Sequence, residues 1–223
     1  MRYAGGVLVD GPSDARTTLV LAHGAGGPMD APYLQAVAAD LAARGARVVR
    51  FEFPYMAKRR ESGVRGALDR PPVLLATWRE RIAELGGGPG LVIGGKSLGG
   101  RMASMLADEV GARGLVCLGY PFHPPRSPER LRTAHLEAIR TPTLIVQGTR
   151  DPFGVPDDVA TYRLSPAIRL CWIEGGDHDL RPPGRSGRRQ GENLRDACDA
   201  VARFLAELDG TGAGAQAPLR SGC

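Results

Sequence analysis

Short, wholly apolar runs alternate with longer stretches in which apolar residues return every three or four positions, and this alternation organises the chain from Leu19 to Leu208. The runs Leu19–Ala22, Arg47–Phe53, Leu91–Ile93, Gly114–Tyr120, Thr143–Gln147 and Ile168–Ile173 read as buried strands. Tyr3–Val9 reads as a first edge strand closed by Asp10-Gly11-Pro12. Between them lie helical stripes: Leu34, Val37, Ala38 and Leu41, capped by Asp30, with Pro32 in the first turn and Gly45 as the stop; then Leu75, Trp78, Ile82 and Leu85; then Ala103, Leu106 and Val110. Short helices are expected over Glu129–Ile139 and Asp157–Leu164, and a long one from about Gly191 to Leu208 with Leu194, Ala197, Val201, Phe204 and Leu208 on one face. Pro54–Pro72 reads as a polar, basic loop and Pro121–Pro128 as another.

Strands buried on both sides and separated by amphipathic helices imply an α/β fold: a mostly parallel central sheet with helices on both faces. Residues 1–209 are expected to form one domain and residues 210–223 a flexible C-terminal tail. In such a sheet the loops after the strands share one edge, where ligands bind. That brings His23–Gly27, Ser97, Asp151 and His178 to one rim. The connection from Tyr120 to Thr143 holds a single short helix, too little for a lid domain.

Composition changes this picture little. A chain of 223 residues at 43% hydrophobic content can bury a full core without staples. The four cysteines lie far apart without metal-ligand spacing, and reduced structural thiols in a cytoplasmic protein are the expectation. No secretory leader and no apolar run long enough to span a membrane is read. The net charge of +5 comes almost wholly from arginine, since Lys58 and Lys96 are the only lysines. No aromatic interleaving or nucleic-acid module accompanies it, so neither nucleic acid nor membrane is an expected partner. Lys58-Arg59-Arg60 with Arg65, and Arg181–Arg189, fall on the active rim, where they suit an anionic substrate. Oligomeric state is not legible.

The chemistry centres on Gly95-Lys96-Ser97-Leu98-Gly99, a G-x-S-x-G motif between a strand and a helix. In that sharp turn side chains at the flanking glycines would collide with neighbouring backbone, and the serine hydroxyl projects from the sheet edge. Gly90-x-x-x-x-Gly95-Lys96-Ser97 also fits a phosphate loop. However, Leu91, Val92 and Ile93 are strand residues and no apolar run precedes Gly90, so that reading is set aside. Gly24-x-Gly26 with Glu52 hints at a dinucleotide site, but Met29 stands where the third glycine is needed.

A serine hydroxyl needs a base and a group to orient that base. Downstream, Asp151 and His178 each follow a strand, with Asp177 and Asp157 as lesser candidates for the acid. Oxyanion donors are expected from the Leu98 N–H and from Ala25 or Gly26. His23, Tyr120, Phe122 and His123 are candidates for lining the acyl pocket. For His23 a role propping the loop by hydrogen bonding is preferred to proton transfer, and self-packing of a proline-rich loop competes for the other three. No cofactor or metal is expected.

The combination of His23-Gly24-Ala25-Gly26-Gly27, Gly95-Lys96-Ser97-Leu98-Gly99-Gly100-Arg101, Gly119-Tyr120-Pro121-Phe122-His123-Pro124-Pro125, Gln147-Gly148-Thr149-Arg150-Asp151-Pro152-Phe153-Gly154 and Gly175-Gly176-Asp177-His178-Asp179 resembles the small bacterial α/β-hydrolase-like proteins. These are predicted hydrolases related to dienelactone hydrolase, and they share a domain with a subunit of an animal histone-acetylation complex. The resemblance covers Leu19–Leu208. It implies an α/β-hydrolase fold with nucleophile Ser97, acid Asp151 and base His178, acting on an ester or related acyl bond of a small soluble substrate. The chain departs from dienelactone hydrolase in carrying serine where that enzyme has cysteine. A catalytically silent scaffold for protein interaction, and a serine peptidase or thioesterase with the same triad, remain as alternatives.

Overall fold

The computed structural model describes residues 2–4 and 6–210. In chain order the elements are β1 (Arg2–Ala4), β2 (Val7–Asp10), β3 (Thr18–Ala22), α1 (Pro32–Ala43), β4 (Arg47–Phe51), α2 (Pro54–Ser62), α3 (Pro71–Glu84), β5 (Leu91–Lys96), α4 (Leu98–Ser104), β6 (Gly114–Leu118), β7 (Thr143–Gly148), α5 (Pro156–Val159), β8 (Ile168–Ile173) and α6 (Gln190–Leu208). The eight strands form one sheet in the order β1-β2-β4-β3-β5-β6-β7-β8. β1 and β2 pair antiparallel, β2 pairs antiparallel with β4, and the remaining six run parallel.

Side chains of a strand point alternately to its two faces, and the core divides accordingly. Leu19 and Leu21 of β3, Val116 and Leu118 of β6, and Leu144 and Val146 of β7 face α1 and α6, where Leu34, Val37, Leu41, Val201 and Phe204 cover them. Val20, Leu115, Cys117 and Ile145 face the other way, under Trp78 and Ile82 of α3 and Met102 and Ala103 of α4. Both faces of the parallel sheet are therefore covered, as expected from its apolar strands. No helix among the described residues is long and apolar enough to cross a membrane.

Several local expectations are corrected. The edge strand read over Tyr3–Val9 is two antiparallel strands, divided by a turn in which Gly6 takes φ +78°. Pro54–Ser62, read as loop, is helical: it buries only Tyr55 and Met56, so it shows no amphipathic stripe. Asp30 does not cap α1; the cap residue is Ala31, and the Asp30 carboxylate takes a bidentate pair from Arg60. On α3 the innermost positions are Leu74, Thr77, Trp78 and Ile82, with Leu75 and Leu85 half-buried. The helix expected over Glu129–Ile139 shrinks to one 3₁₀ turn, Ala134–Glu137, and α4 stops at Ser104 although Leu106 remains in the core. α5 is a single turn. Cys117 and Cys198 are free and buried, but Cys171 is disulfide-bonded, against the expectation of reduced thiols. The expected tail lies, beyond Gly210, outside the described residues.

Candidate active site

Ser97 stands between β5 and α4 with φ +50° and ψ −111°, a combination that a residue with a side chain adopts only under constraint. The constraint comes from the packing of α4 against β3. A Cβ at Gly95 would lie 2.3 Å from the Ala22 carbonyl oxygen, and one at Gly99 2.4 Å from the same atom. Only glycines allow that approach, so the turn stays tight and its serine is forced outward. Leu91–Lys96, the middle of the alternative phosphate loop, are instead β5 and all buried.

Asp151 follows β7 and is wholly buried. Its Oδ1 accepts the Phe153 N–H at 2.9 Å, and its Oδ2 accepts Gln147 Nε2 at 2.9 Å and lies 2.8 Å from His178 Nδ1. A carboxylate there makes Nδ1 the donor and leaves Nε2 free to accept a proton. Neither of the lesser acid candidates meets the imidazole. Asp177 turns the loop by accepting the N–H groups of Asp179 and Arg181, each at 2.8 Å, and Asp157 is exposed on α5. The Phe153 ring packs on the His178 ring with centroids 4.4 Å apart.

Ser97 and His178 line one cleft of about 670 Å³, whose walls include Gly24–Pro28, Tyr33, Lys96, Phe153, Asp179, Arg181 and Leu194. Among the described residues no hydrogen bond joins the Ser97 hydroxyl to His178; in serine hydrolases this contact tightens when substrate is bound. The Leu98 N–H, first of α4, has no acceptor among the described residues, and Ala25 and Gly26 form the facing wall of the cleft. The structure therefore brings Ser97, Asp151, His178, Leu98, Ala25 and Gly26 together.

It does not bring the four expected pocket residues to the cleft. Tyr120 and Phe122 are fully buried, packed on each other at a tilt of 59° with centroids 4.9 Å apart, and the Tyr120 hydroxyl donates to the Arg132 carbonyl. His123 is buried against Pro124 and Asp158. The loop after β6 folds inward rather than over the site, because its aromatics complete the core beneath it. His23 is also buried, with Nδ1 2.7 Å from the Gly24 carbonyl and Nε2 accepting the Phe53 N–H at 3.1 Å. It props the glycine loop from behind, the role preferred for it from the sequence.

That role fixes its protonation. Burial pulls the His23 pKa below the ordinary histidine value of 6.5, against the opposing pull of the Gly24 carbonyl and Glu52. The folded state holds this imidazole neutral, so its contribution to stability is complete above pH 6.5 and is lost as pH falls below that value toward the depressed folded one. His135, pushed down to about 4 by burial, acts in the same direction. A His23→Gln variant should show a shallower fall of Tm between pH 7.5 and 5 than the wild type, by roughly 2–4 °C per kcal/mol of lost linkage. Parallel curves would refute a neutral buried imidazole.

Sequence reasoning passed over Phe153, Gln147, Tyr33, Lys96, Asp179 and Leu194. Gln147 carried a readable signal, as a polar residue ending an apolar strand; Tyr33 and Leu194 looked like ordinary helix residues. Of the basic loops, Arg181 reaches the cleft, whereas Arg60 is engaged by Asp30 and Glu52 and Arg59 by the Gly26 carbonyl.

Comparison with known proteins agrees with this architecture. A dienelactone hydrolase from Anabaena variabilis superposes with TM-score 0.69 at 20% identity, over 90% of this chain and 90% of that one. A serine hydrolase without lid from Xanthomonas campestris gives 0.65 at 19% identity, over 90% and 88%. Est1E from Butyrivibrio proteoclasticus gives 0.65 at 15%, over 92% and 94%. At these identities the likeness is one of fold. Residues 15–206 match the family model described as the alpha/beta hydrolase domain. The chain, with its lidless parallel sheet and its serine on a strained strand-to-helix turn, belongs to the α/β-hydrolase family.

Proposed function

We propose that this protein is a serine hydrolase of carboxylesterase type, cleaving an ester or related acyl bond of a small soluble substrate. The observation that carries the proposal is the meeting, in one open cleft, of a serine held at φ +50° and an imidazole already paired to a buried carboxylate. His178 Nε2 takes the Ser97 proton as Oγ attacks the acyl carbon. The oxyanion is received by the Leu98 N–H and by the Ala25–Gly26 backbone. His178 returns the proton to the leaving group, then activates water to release the acyl group and regenerate Ser97. Asp151 holds the ring through Nδ1.

The exposed Arg181 guanidinium, which lies 3.3 Å from Asp179 Oδ2 at the cleft, extends the proposal to acyl compounds that carry a negative charge. A fluorophosphonate should label the protein at Ser97, shown by the mass of the adducted peptide. Short acyl esters should then be turned over in preference to amides and long-chain esters, with thioesters as the third arm. For an anionic ester kcat/KM should fall more steeply with ionic strength than for a neutral one; equal responses would remove the anionic preference. A folded chain that takes no label would instead fit a catalytically silent scaffold.

A further inference from the structure

The candidate base and nucleophile stand on strands that are not neighbours. β8 is three places from β5 in the sheet, roughly 14 Å at the usual strand spacing. The segment after β8 must therefore lean back across the ends of β7 and β6. It does so over two glycines. A Cβ at Gly148, closing β7, would come within 2.2 Å of the Gly176 carbonyl oxygen, and one at Gly119, after β6, would lie 3.2 Å from the His178 carbonyl oxygen and 3.3 Å from its Cε1. The segment is itself strained, with Leu180 at φ +60°. From behind, Asn193 Nδ2 donates to the Leu180 carbonyl at 2.9 Å and Gln190 Nε2 to the Asp179 carbonyl at 2.8 Å, both from α6.

From the nucleophile's own strand the tie is Lys96, next to Ser97. Its Nζ donates to the His178 carbonyl at 2.6 Å and lies 3.4 Å from Asp179 Oδ1 and 5.3 Å from the centre of the Tyr33 ring. The side chain is only 8% exposed. Burying an ammonium group costs free energy unless it is paired and hydrogen-bonded, and burial pulls Lys96 below the ordinary lysine value while Asp179 and Asp151 pull it back. The fold itself has no need of a cation at the end of a strand whose other residues are apolar or glycine.

We infer that Lys96 is a positioning residue: its ammonium clamps the backbone of the His178 loop to the nucleophile strand and so sets the imidazole in register with Ser97. Its catalytic consequence rests on the hydrolase reading above; its structural consequence does not. Because Lys96 also lines the cleft, the rival role is a cation that binds substrate, and the two roles separate in kinetics.

Lys96→Met should lower kcat for a neutral short-chain ester by about 10–100-fold with KM changed by less than about twofold, and should slow fluorophosphonate labelling to a similar degree. Lys96→Arg should recover activity to within about fivefold of wild type. In Lys96→Met, hydrogen exchange of the peptide spanning residues 175–181 should quicken by at least about tenfold while the β5–β7 strands keep their protection. If Lys96→Met does not fold, Lys96→Gln, which keeps a donor but loses the charge, carries the same tests. A rise in KM at constant kcat would overturn the clamp in favour of substrate binding, and unchanged exchange of residues 175–181 would overturn it outright. A wild type that neither turns over esters nor takes the label would sink the hydrolase reading instead, and the exchange measurement alone would then decide on Lys96.

Discussion

Ser97→Ala is expected to lower kcat by about 10⁴–10⁶-fold and to abolish fluorophosphonate labelling, with little change in KM or in Tm. The scale follows from the single role of the hydroxyl. It caps no helix and makes no hydrogen bond among the described residues, so its removal takes away the attacking atom and nothing that holds the fold. Alanine bears the same Cβ at φ +50°, so the backbone strain is unchanged and stability should stay within about 0.5 kcal/mol. The residual rate would measure what the oxyanion donors and the cleft achieve without a nucleophile. Turnover within tenfold of wild type, from protein freed of any contaminating esterase, would refute the mechanism.

Asp151→Asn should be nearly as damaging, at about 10⁴-fold in kcat, for a different reason. The carboxylate accepts three hydrogen bonds, from the Phe153 N–H, Gln147 Nε2 and His178 Nδ1. An amide accepts on one oxygen only. With its NH₂ placed toward His178, the imidazole must shift its proton to Nε2, where it can no longer take one from Ser97. With its NH₂ turned to Phe153, two donors face each other. In the first orientation the NH₂ also faces Gln147 Nε2, and Gln147 cannot relieve this by flipping, because Nε2 donates to the Tyr120 and Gly154 carbonyls as well. The variant should therefore lose stability as well, by about 1–3 kcal/mol for one unsatisfied buried group. A rate that recovers as pH rises well above neutrality would identify the tautomer as the fault; a loss of less than tenfold at pH 7 would show that another group orients the base.

The centre of the sheet was legible because β3, β4, β5, β6 and β7 are buried on both sides and read as apolar runs such as Leu144-Ile145-Val146. The amphipathic helices α1, α3 and α6 carried stripes for the same reason. What escaped lay where burial does not impose a period. α2 shows helical punctuation, with Pro54 in the first turn, Arg59 and Arg60 in the last and Gly63 at φ +69° after it, yet only two buried side chains. The hairpin of β1 and β2 was hidden in a single hydrophobic stretch around a Gly-Gly pair. Within the site, residues attached to backbone punctuation could be placed from the sequence: Ser97 between glycines, and Asp151 and His178 in loops directly after strands. Side chains that swing into the site from a helix, such as Tyr33 and Leu194, could not, since helical register alone does not say which end of a helix meets the cleft. Tyr120, Phe122 and His123 were misplaced because a loop at the active edge can fold inward as readily as outward.

The arrangement of strands also sets when the machinery can exist. Lys96 and His178 are 82 residues apart in the chain, and the strand that delivers the imidazole is the outermost of its side of the sheet. A chain emerging from the ribosome would present its serine long before it had a base to activate it, and would acquire reactivity only when the last strand docks and the following helix seals it.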